Sequence, residues 1–576
     1  MADLRASELG FVLSVTGSRA EVRLYAGDAT ANHDESRVTI GKLIAVRTPT
    51  SAVVGVVARL SGPESASGEY HPSDLSAEVD FLGEVVQHGT PEAYFQRGVS
   101  EYPAVGDKVM ALDTEDISVI HHIDGGETIN VGRLKMDAKV PAYINFDELL
   151  QKHFAVLGTT GVGKSSAVAL ILREILKKKA NLRIFLIDPH NEYGHCFGDM
   201  ANVISPKNLK LPFWLFDFEE IVDVFFRARP GVEEETEILS ELIPIAKARY
   251  AAGQRGERVL LRKAAGAGYT PDTPVPYRIS DLVDLVNERM GKLENRSSWM
   301  KYHRLITRIE TLGQDSRYAF MFDSLMVEDM MSKVLADLFR LPIGKEPITV
   351  MQLAGFPAEV VDSVVSVLCR LAFEFGVWSD GSVPILVACE EAHRYAPADR
   401  KLGFGPTRKA LSRIAKEGRK YSVFLGVITQ RPADLDATIL SQCSTVFAMR
   451  MANERDQAIV KSAVPDAGSS LIGFLASLGI REAIAFGEGV ALPTRLRFSD
   501  LAREFLPRSQ HEGHARFEAA DAVDEDFVDA IVDRWREAST TSVRARPAAS
   551  VPDMVDLDRG LGSLEAFATA PAKQQR

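Results

Sequence analysis

Along the first 115 or so residues, apolar and polar positions alternate in short runs. Gly10-Phe11-Val12-Leu13-Ser14-Val15 and Ala20-Glu21-Val22-Arg23-Leu24 flank a Gly-Ser turn, and this alternation predicts half-buried strands. Further strands are predicted over Val38–Val46, Val53–Leu60, Ala77–Val86 and Lys108–Leu112, with residues 62–69 as a polar loop. Short strands divided by Gly, Pro and Asp predict a small β-barrel over 1–115.

Near residue 150 the pattern changes. Short apolar runs now alternate with longer segments of helical period, which predicts an α/β domain with a mainly parallel sheet. The predicted strands are His153–Leu157, Arg183–Ile187, Ile348–Leu353, Ile385–Cys389, Val423–Ile428 and Thr445–Met449. Between the second and third, apolar positions in Val222–Phe226, Ile238–Ala248, Leu282–Met290 and Leu305–Leu312 keep a helical period. That predicts a helical insertion at about 215–340 on a core spanning 151–510, with 116–150 as a linker. Residues 511–576 turn polar; Phe527, Ile531, Val532 and Trp535 would share one face of a helix over Asp526–Arg536. From Thr540 the Ala-, Pro-, Arg- and Ser-rich end reads as a flexible tail.

Composition narrows the class. At 576 residues the chain needs more than one core, and 46% hydrophobic with 25% charged residues is ordinary for a globular protein. Cys196, Cys369, Cys389 and Cys443 form no CxxC pair, which argues against a disulfide framework or zinc site and suits a reducing cytoplasm. Neither a signal peptide nor a bilayer-spanning run is expected. A net charge of −12 tells against DNA wrapped on the outer surface. A ring that is acidic outside and basic in its channel remains open.

The strongest chemical signal is Gly158-Thr159-Thr160-Gly161-Val162-Gly163-Lys164-Ser165, a full GxxxxGK[ST] between an apolar strand and the helical run from Ser166. Glycines let backbone N–H groups curl around a phosphate, and the helix N-terminus adds its positive end. Gly158, Thr160, Gly161, Val162, Gly163, Lys164, Ser165 and Ser166 are therefore the expected nucleotide-binding set. Lys164 reaches the β- and γ-phosphates, and Ser165 holds Mg²⁺.

Ile385-Leu386-Val387-Ala388-Cys389-Glu390-Glu391 places two carboxylates at the end of a buried strand, where ligands sit in open α/β sheets. Glu390 would orient Mg²⁺ through water and Glu391 would polarise the attacking water; the bland alternative is an acidic pair capping the next helix. Asp188, in Asp188-Pro189-His190-Asn191-Glu192-Tyr193, would reach the catalytic water or metal shell, or simply build a turn. Arg419 and its basic neighbours precede the strand Val423–Ile428 and form either a solvated face or a group entering a neighbour's site. Gln430, just beyond that strand, is placed like a γ-phosphate sensor.

These blocks together resemble the HerA family of RecA/FtsK-type hexameric translocases. The resemblance rests on His153 to Gly158 leading into the P-loop, Asp188 to Tyr193, Glu390-Glu391-Ala392-His393-Arg394, Glu417-Gly418-Arg419-Lys420 and Thr429-Gln430-Arg431-Pro432. It implies an N-terminal β-barrel, ATP and Mg²⁺ at Lys164 and Ser165, catalytic Glu391 and a trans-acting Arg419, with Lys420 or Arg431 as substitutes. It also implies a hexameric ring that drives double-stranded DNA through its channel. Such rings work with a NurA-like nuclease, or with another effector in phage defence, docked on the barrel. Asn191, where the family often has Gly, and Glu390, where Asp is usual, depart from the pattern. The basic loop Arg400–Lys409 is a candidate channel contact or an ordinary surface loop, and Lys301, His303 and Arg304 are weaker candidates. An ATPase ring that organises an attached effector, or one that moves protein, is the competing reading.

Overall fold

The computed structural model describes residues 8–25, 38–62, 75–123, 125–226, 230–254, 268–292, 296–322, 327–342, 344, 346–356, 358–463, 466–508, 528–529 and 531–533. The N-terminal strands are β1 (Glu8–Val15), β2 (Arg19–Leu24), β3 (Leu43–Arg47), β4 (Ser51–Ser61), β5 (Ser76–Val86), β6 (Tyr94–Arg97) and β7 (Lys108–Ala111). They hydrogen-bond in the order β2-β1-β7-β3-β4-β5-β6, and β5 also pairs with β2. Six of these strands thus close into the expected barrel, with β6 added outside. Alternation explains the closure: in β2, Ala20, Val22 and Leu24 are buried while the residues between them are exposed, so one face fills the barrel with Val12, Val53, Val57 and Val79.

The core is one 11-stranded sheet. Its strands are β8 (Thr128–Leu134), β9 (Pro141–Asn145), β10 (His153–Leu157), β11 (Arg183–Asp188), β12 (Ala201–Ile204), β13 (Ile348–Gln352), β14 (Ile385–Cys389), β15 (Val423–Thr429), β16 (Cys443–Met449), β17 (Glu482–Gly487) and β18 (Thr494–Phe498). Their order is β12-β13-β11-β14-β15-β10-β16-β17-β18-β8-β9. Pairings from β12 to β16 are parallel, and those from β16 to β9 are antiparallel. Every residue of β10, β11, β13 and β14 is buried. Sheets covered by helices on both faces need such continuous apolar strands.

Between β12 and β13 the chain forms the expected helical insertion, including Phe218–Phe226, Glu233–Gln254, Ile279–Met290, Arg296–Gln314 and Met331–Phe339. Leu239, Leu242, Leu282, Leu285, Leu305 and Ile309 bury its helix seams in the same apolar core as the sheet. A buried Glu220 paired with Arg370 at 2.8 Å ties it to the helix Ala358–Trp378.

Residues 116–150 are more than the expected linker. Helix Thr114–Ile120 starts at a capping box in which Asp113 accepts from the Asp116 N–H. Strands β8 and β9 then complete the core sheet against β18. The barrel is fastened to the same region, because the Arg97 guanidinium donates to the carbonyls of Ala491 and Gly487 at 2.8 Å each. Of the expected C-terminal helix, the described residues 528–529 and 531–533 are helical. Phe527, Trp535 and the tail from Thr540 lie outside the described residues, and Ile531 is exposed.

Candidate functional site

The site forms where parallel strands end. β10 delivers Gly158, β14 delivers Glu390 and Glu391, β15 delivers Gln430, and β11 ends at Asp188. In the P-loop, Gly161 and Gly163 take φ of +76° and +90°, and glycine adopts such angles without steric cost. A side chain at Gly163 is excluded twice over, since its Cβ would lie 2.7 Å from Arg481 Cγ. Lys164 then opens the helix Lys164–Lys178, so free N–H groups and the positive helix end converge on the loop.

Two carboxylate pairs close on this loop. Glu391 Oε1 lies 3.6 Å from Lys164 Nζ, and Glu391 Oε2 lies 3.2 Å from His393 Nδ1. His393 Nδ1 is also 2.9 Å from the Thr429 hydroxyl, which fixes the ring between β14 and β15. Glu391 has φ +52°, a left-handed conformation that a non-glycine residue adopts at a cost of order 1 kcal/mol. The strain turns its carboxylate off the strand axis toward Lys164. Glu390 is buried; its Oε1 accepts from the Tyr193 hydroxyl at 3.0 Å. Burial first, and the Asp188 carboxylate second, push Glu390 well above the ordinary range, against the pull of Lys164.

Asp188 is fully buried, and its two oxygens accept the N–H groups of Glu192 and Tyr193 at 3.1 and 3.0 Å. Burial pushes its carboxyl up to about 6 despite those two bonds. Its ties are thus those of the turn, and the turn carries another acid to the loop. Ser165 Oγ donates to Glu192 Oε2 at 2.9 Å. Asn191 adopts φ +57° and bonds the Ala354 backbone through both ends of its amide, at 3.2 and 3.4 Å. Asparagine tolerates that conformation. The Thr160 hydroxyl donates to Gln430 Oε1 at 2.6 Å, so the sensor candidate touches the P-loop. Val162 is buried, its carbonyl accepting from the Arg481 N–H at 2.8 Å, and Ser166 lies half-buried in the helix.

Nucleotide and metal fit can be judged from the orphaned atoms. Glu390 Oε2 is buried without a hydrogen-bond partner among the described residues, and Glu391 Oε2, equally buried, has only the His393 ring nitrogen at 3.2 Å beside it. Leaving such groups unpaired costs about 1–3 kcal/mol or more each, unless they serve a cation or a water. Together with Ser165 and an empty-handed helix N-terminus, they form a donor set suited to a triphosphate and a hydrated hard cation.

Arg419 is not part of this cluster. It lies in the short turn Gly418–Tyr421 before β15, whereas Gln430 follows the end of that strand. Seven residues of strand separate the two ends by about 20 Å at ~3.3 Å per residue. Arg419 and Lys420 are exposed, with no side-chain partner among the described residues. Other basic candidates are partly spent: Lys409 pairs with Glu219, Lys301 with Glu234 and Arg304 with Glu235. The segment from Gly405 is the start of a helix, not a continued loop.

Sequence reasoning passed over Glu192, His393, Thr429 and Arg481 as site residues. The first three sat inside motifs already quoted. Arg481 comes from β17's entry, far along the chain, and nothing local marks it.

Known proteins resemble this chain over its central part. Residues 129–372 match the family described as helicase HerA, central domain. The chain is 27% identical over 428 residues to a probable helicase of Methanocaldococcus jannaschii, covering 72% of this chain and 75% of that one. It is 27% identical over 416 residues to the DNA double-strand break repair helicase HerA of Pyrococcus furiosus, covering 66% and 71%. Among solved structures, VirB4 of Thermoanaerobacter pseudethanolicus aligns at 16% identity with a TM-score of 0.44, over 66% of this chain and 99% of that chain. Among the described residues, no helix is long and apolar enough to cross a membrane. The chain is a P-loop ATP hydrolase, and its residues 129–372 are similar to the central domain of the HerA helicases.

Proposed function

We propose that this chain is the motor subunit of a hexameric ring that uses ATP to drive double-stranded DNA through a central channel. The observation that carries the reading is the split site: one chain holds a complete phosphate cradle with two acids, and its unpartnered arginine stands at the opposite sheet edge. Only a neighbouring copy brings the two together, as a head-to-tail ring does. The names of the helicase relatives supply the polymer.

In this reading Lys164 and the N–H groups of the P-loop bind the triphosphate. Ser165 and Glu390, partly through water, hold Mg²⁺, which when bound neutralises phosphate charge. Glu391 orients the attacking water and takes its proton, while His393, braced by Thr429, keeps that carboxylate in place. Asp188 staples the turn that brings Glu192 to Ser165. Gln430 senses the γ-phosphate through its contact with Thr160, and Arg419 of the neighbour stabilises the charge that develops there. Residues 1–115 serve as the assembly barrel on which a NurA-like nuclease or a defence effector docks. The function is then DNA-end processing or phage defence in the cytoplasm.

The test is ATP turnover by the purified protein with and without blunt double-stranded DNA across a salt series. Stimulation by DNA that fades as salt rises is the expected result, because phosphate contacts release counterions. Turnover indifferent to DNA would shift the reading to a ring that organises an attached effector, which the net charge of −12 favours.

A further inference from the structure

The helix Ala358–Trp378 ends in a way that displays its last side chain. The Gly381 N–H donates to the Gly376 carbonyl at 2.9 Å and the Asp380 N–H to the Val377 carbonyl at 3.1 Å. Asp380 is left-handed at φ +52°, which completes a Schellman stop. Trp378, in that final turn, is 84% exposed, the highest value for a large apolar side chain among the described residues. A large ring held rigidly in water is a poor use of apolar surface unless something covers it.

This stop rests on the Arg419 segment. A Cβ at Gly376 would lie 2.9 Å from the Tyr421 carbonyl oxygen, and one at Gly381 would lie 3.1 Å from Ser422 Oγ. Glycine at both positions lets the helix end lie directly on residues 421–423. The Phe373 and Tyr421 rings meet edge to face at 5.8 Å, and Arg413 lies 4.2 Å over Phe373. Trp378 and Arg419 therefore belong to one rigid block. On that block Lys416, Arg419 and Lys420 are exposed beside Glu417 and Asp380, whereas Asp188, Glu390 and Glu391 of the nucleotide site are buried.

We infer that Trp378 anchors the Arg419 edge of one copy of this chain on the nucleotide edge of the next, and so acts as a positioning residue for the arginine. This rests on the trans-arginine reading above. The occupant is a second copy, because a block carrying Arg419 must meet the neighbour that Arg419 serves. Tryptophan beside arginine is also the composition that dominates interface energetics.

The experiment compares full-length Trp378→Ala, Trp378→Phe and Arg419→Ala with the unchanged chain. Sedimentation with a non-hydrolysable ATP analogue and ATP turnover per subunit are both followed across a protein concentration series. Trp378→Ala is expected to need at least about tenfold more protein to assemble, with turnover recovering at high concentration. Trp378→Phe should fall between. Arg419→Ala should assemble at ordinary concentration and turn over slowly at every concentration. An unchanged thermal melt of dilute Trp378→Ala would show that its fold is intact. If Trp378→Ala follows the unchanged chain in both curves, the inference is overturned and the ring faces DNA or another protein instead. Normal turnover by Arg419→Ala would sink the trans reading itself, and the positioning role with it, even if Trp378→Ala still weakened assembly.

Discussion

The two edges of the core sheet are built from the same strands and have opposite characters. At the nucleotide edge, side chains are buried, acidic and interlocked: Glu391 with Lys164 and His393, Glu390 with Tyr193, Asp188 with its own turn, Ser165 with Glu192. At the other edge, Arg419 and Lys420 point into water and Trp378 stands exposed on a stiff helix end. Preorganisation at the first edge lowers the cost of arranging charge during reaction. Bare groups at the second have nothing to organise until another surface arrives. On the trans reading proposed above, a chain with two halves of one site at opposite ends of its strands would be inactive alone, and control of assembly would be control of chemistry.

The comparison breaks first at the cradle. Lys164→Ala should abolish nucleotide binding and turnover together, whereas Glu391→Gln should keep binding and lower turnover by about 10⁴-fold, the upper end of what a general base supplies. Equilibrium binding of a fluorescent ATP analogue, measured beside turnover, separates the two. Equal loss of binding in both variants would remove the division of labour between the lysine and the acid.

Next comes the far edge. Arg419→Ala should lower turnover by about 10³-fold with little change in nucleotide affinity. Mixing it with Glu391→Gln should recover part of the activity, because some interfaces would then pair an intact arginine with an intact acid. Turnover that stays flat across the mixing ratio would place the arginine's action within its own chain.

The smallest effect sharpens the comparison by leaving both edges alone. His121 is buried between the helix Thr114–Ile120 and β18, 2.9 Å from the Ile117 carbonyl and 3.3 Å from the Thr494 hydroxyl. Burial lowers its pKa from 6.5 to about 4. The unfolded chain takes up that proton near pH 6.5 and the folded chain only near 4, so between them the unfolded state binds more protons. Stability is thus full above pH 6.5 and falls as pH drops toward 4, by about 3 kcal/mol from this group. Denaturant unfolding at pH 7.5 and 5 should show the loss, and His121→Gln should flatten it without altering turnover per assembled ring.

Much of this was legible because it is local. The P-loop and the β14 acids carry strand, turn and side chain within a few consecutive residues, and the alternation read in the first two strands, with short apolar runs after them, marks the barrel directly. What stayed hidden depends on partners distant in sequence. β18 reads Thr494-Arg495-Leu496-Arg497-Phe498, an alternation only five residues long whose place in the core sheet is set by β17 and β8 on either side. β12 is four residues long and earns its place only by lying parallel to β13. Asp188 is open to two readings from its place at the strand end, an acid reaching the catalytic water or metal shell or a builder of the turn. The structure ties both its oxygens to the following turn and hands the contact with Ser165 to Glu192. Trp378 gave no signal at all, since an apolar residue at a helix end is ordinarily read as core.

The place of β8 and β9 in the sheet has a practical consequence for anyone who shortens the chain. The change of pattern near residue 150 invites a cut there, but β8 hydrogen-bonds β18 along Gly132 to Leu134. Starting at 151 would strip that cover and leave β18 as an open ladder of N–H and C=O groups, a template for stray pairing between molecules. A cut just ahead of Asp113 would keep the cap, the helix and both strands, and the shortened protein would present a finished border instead of a sticky one.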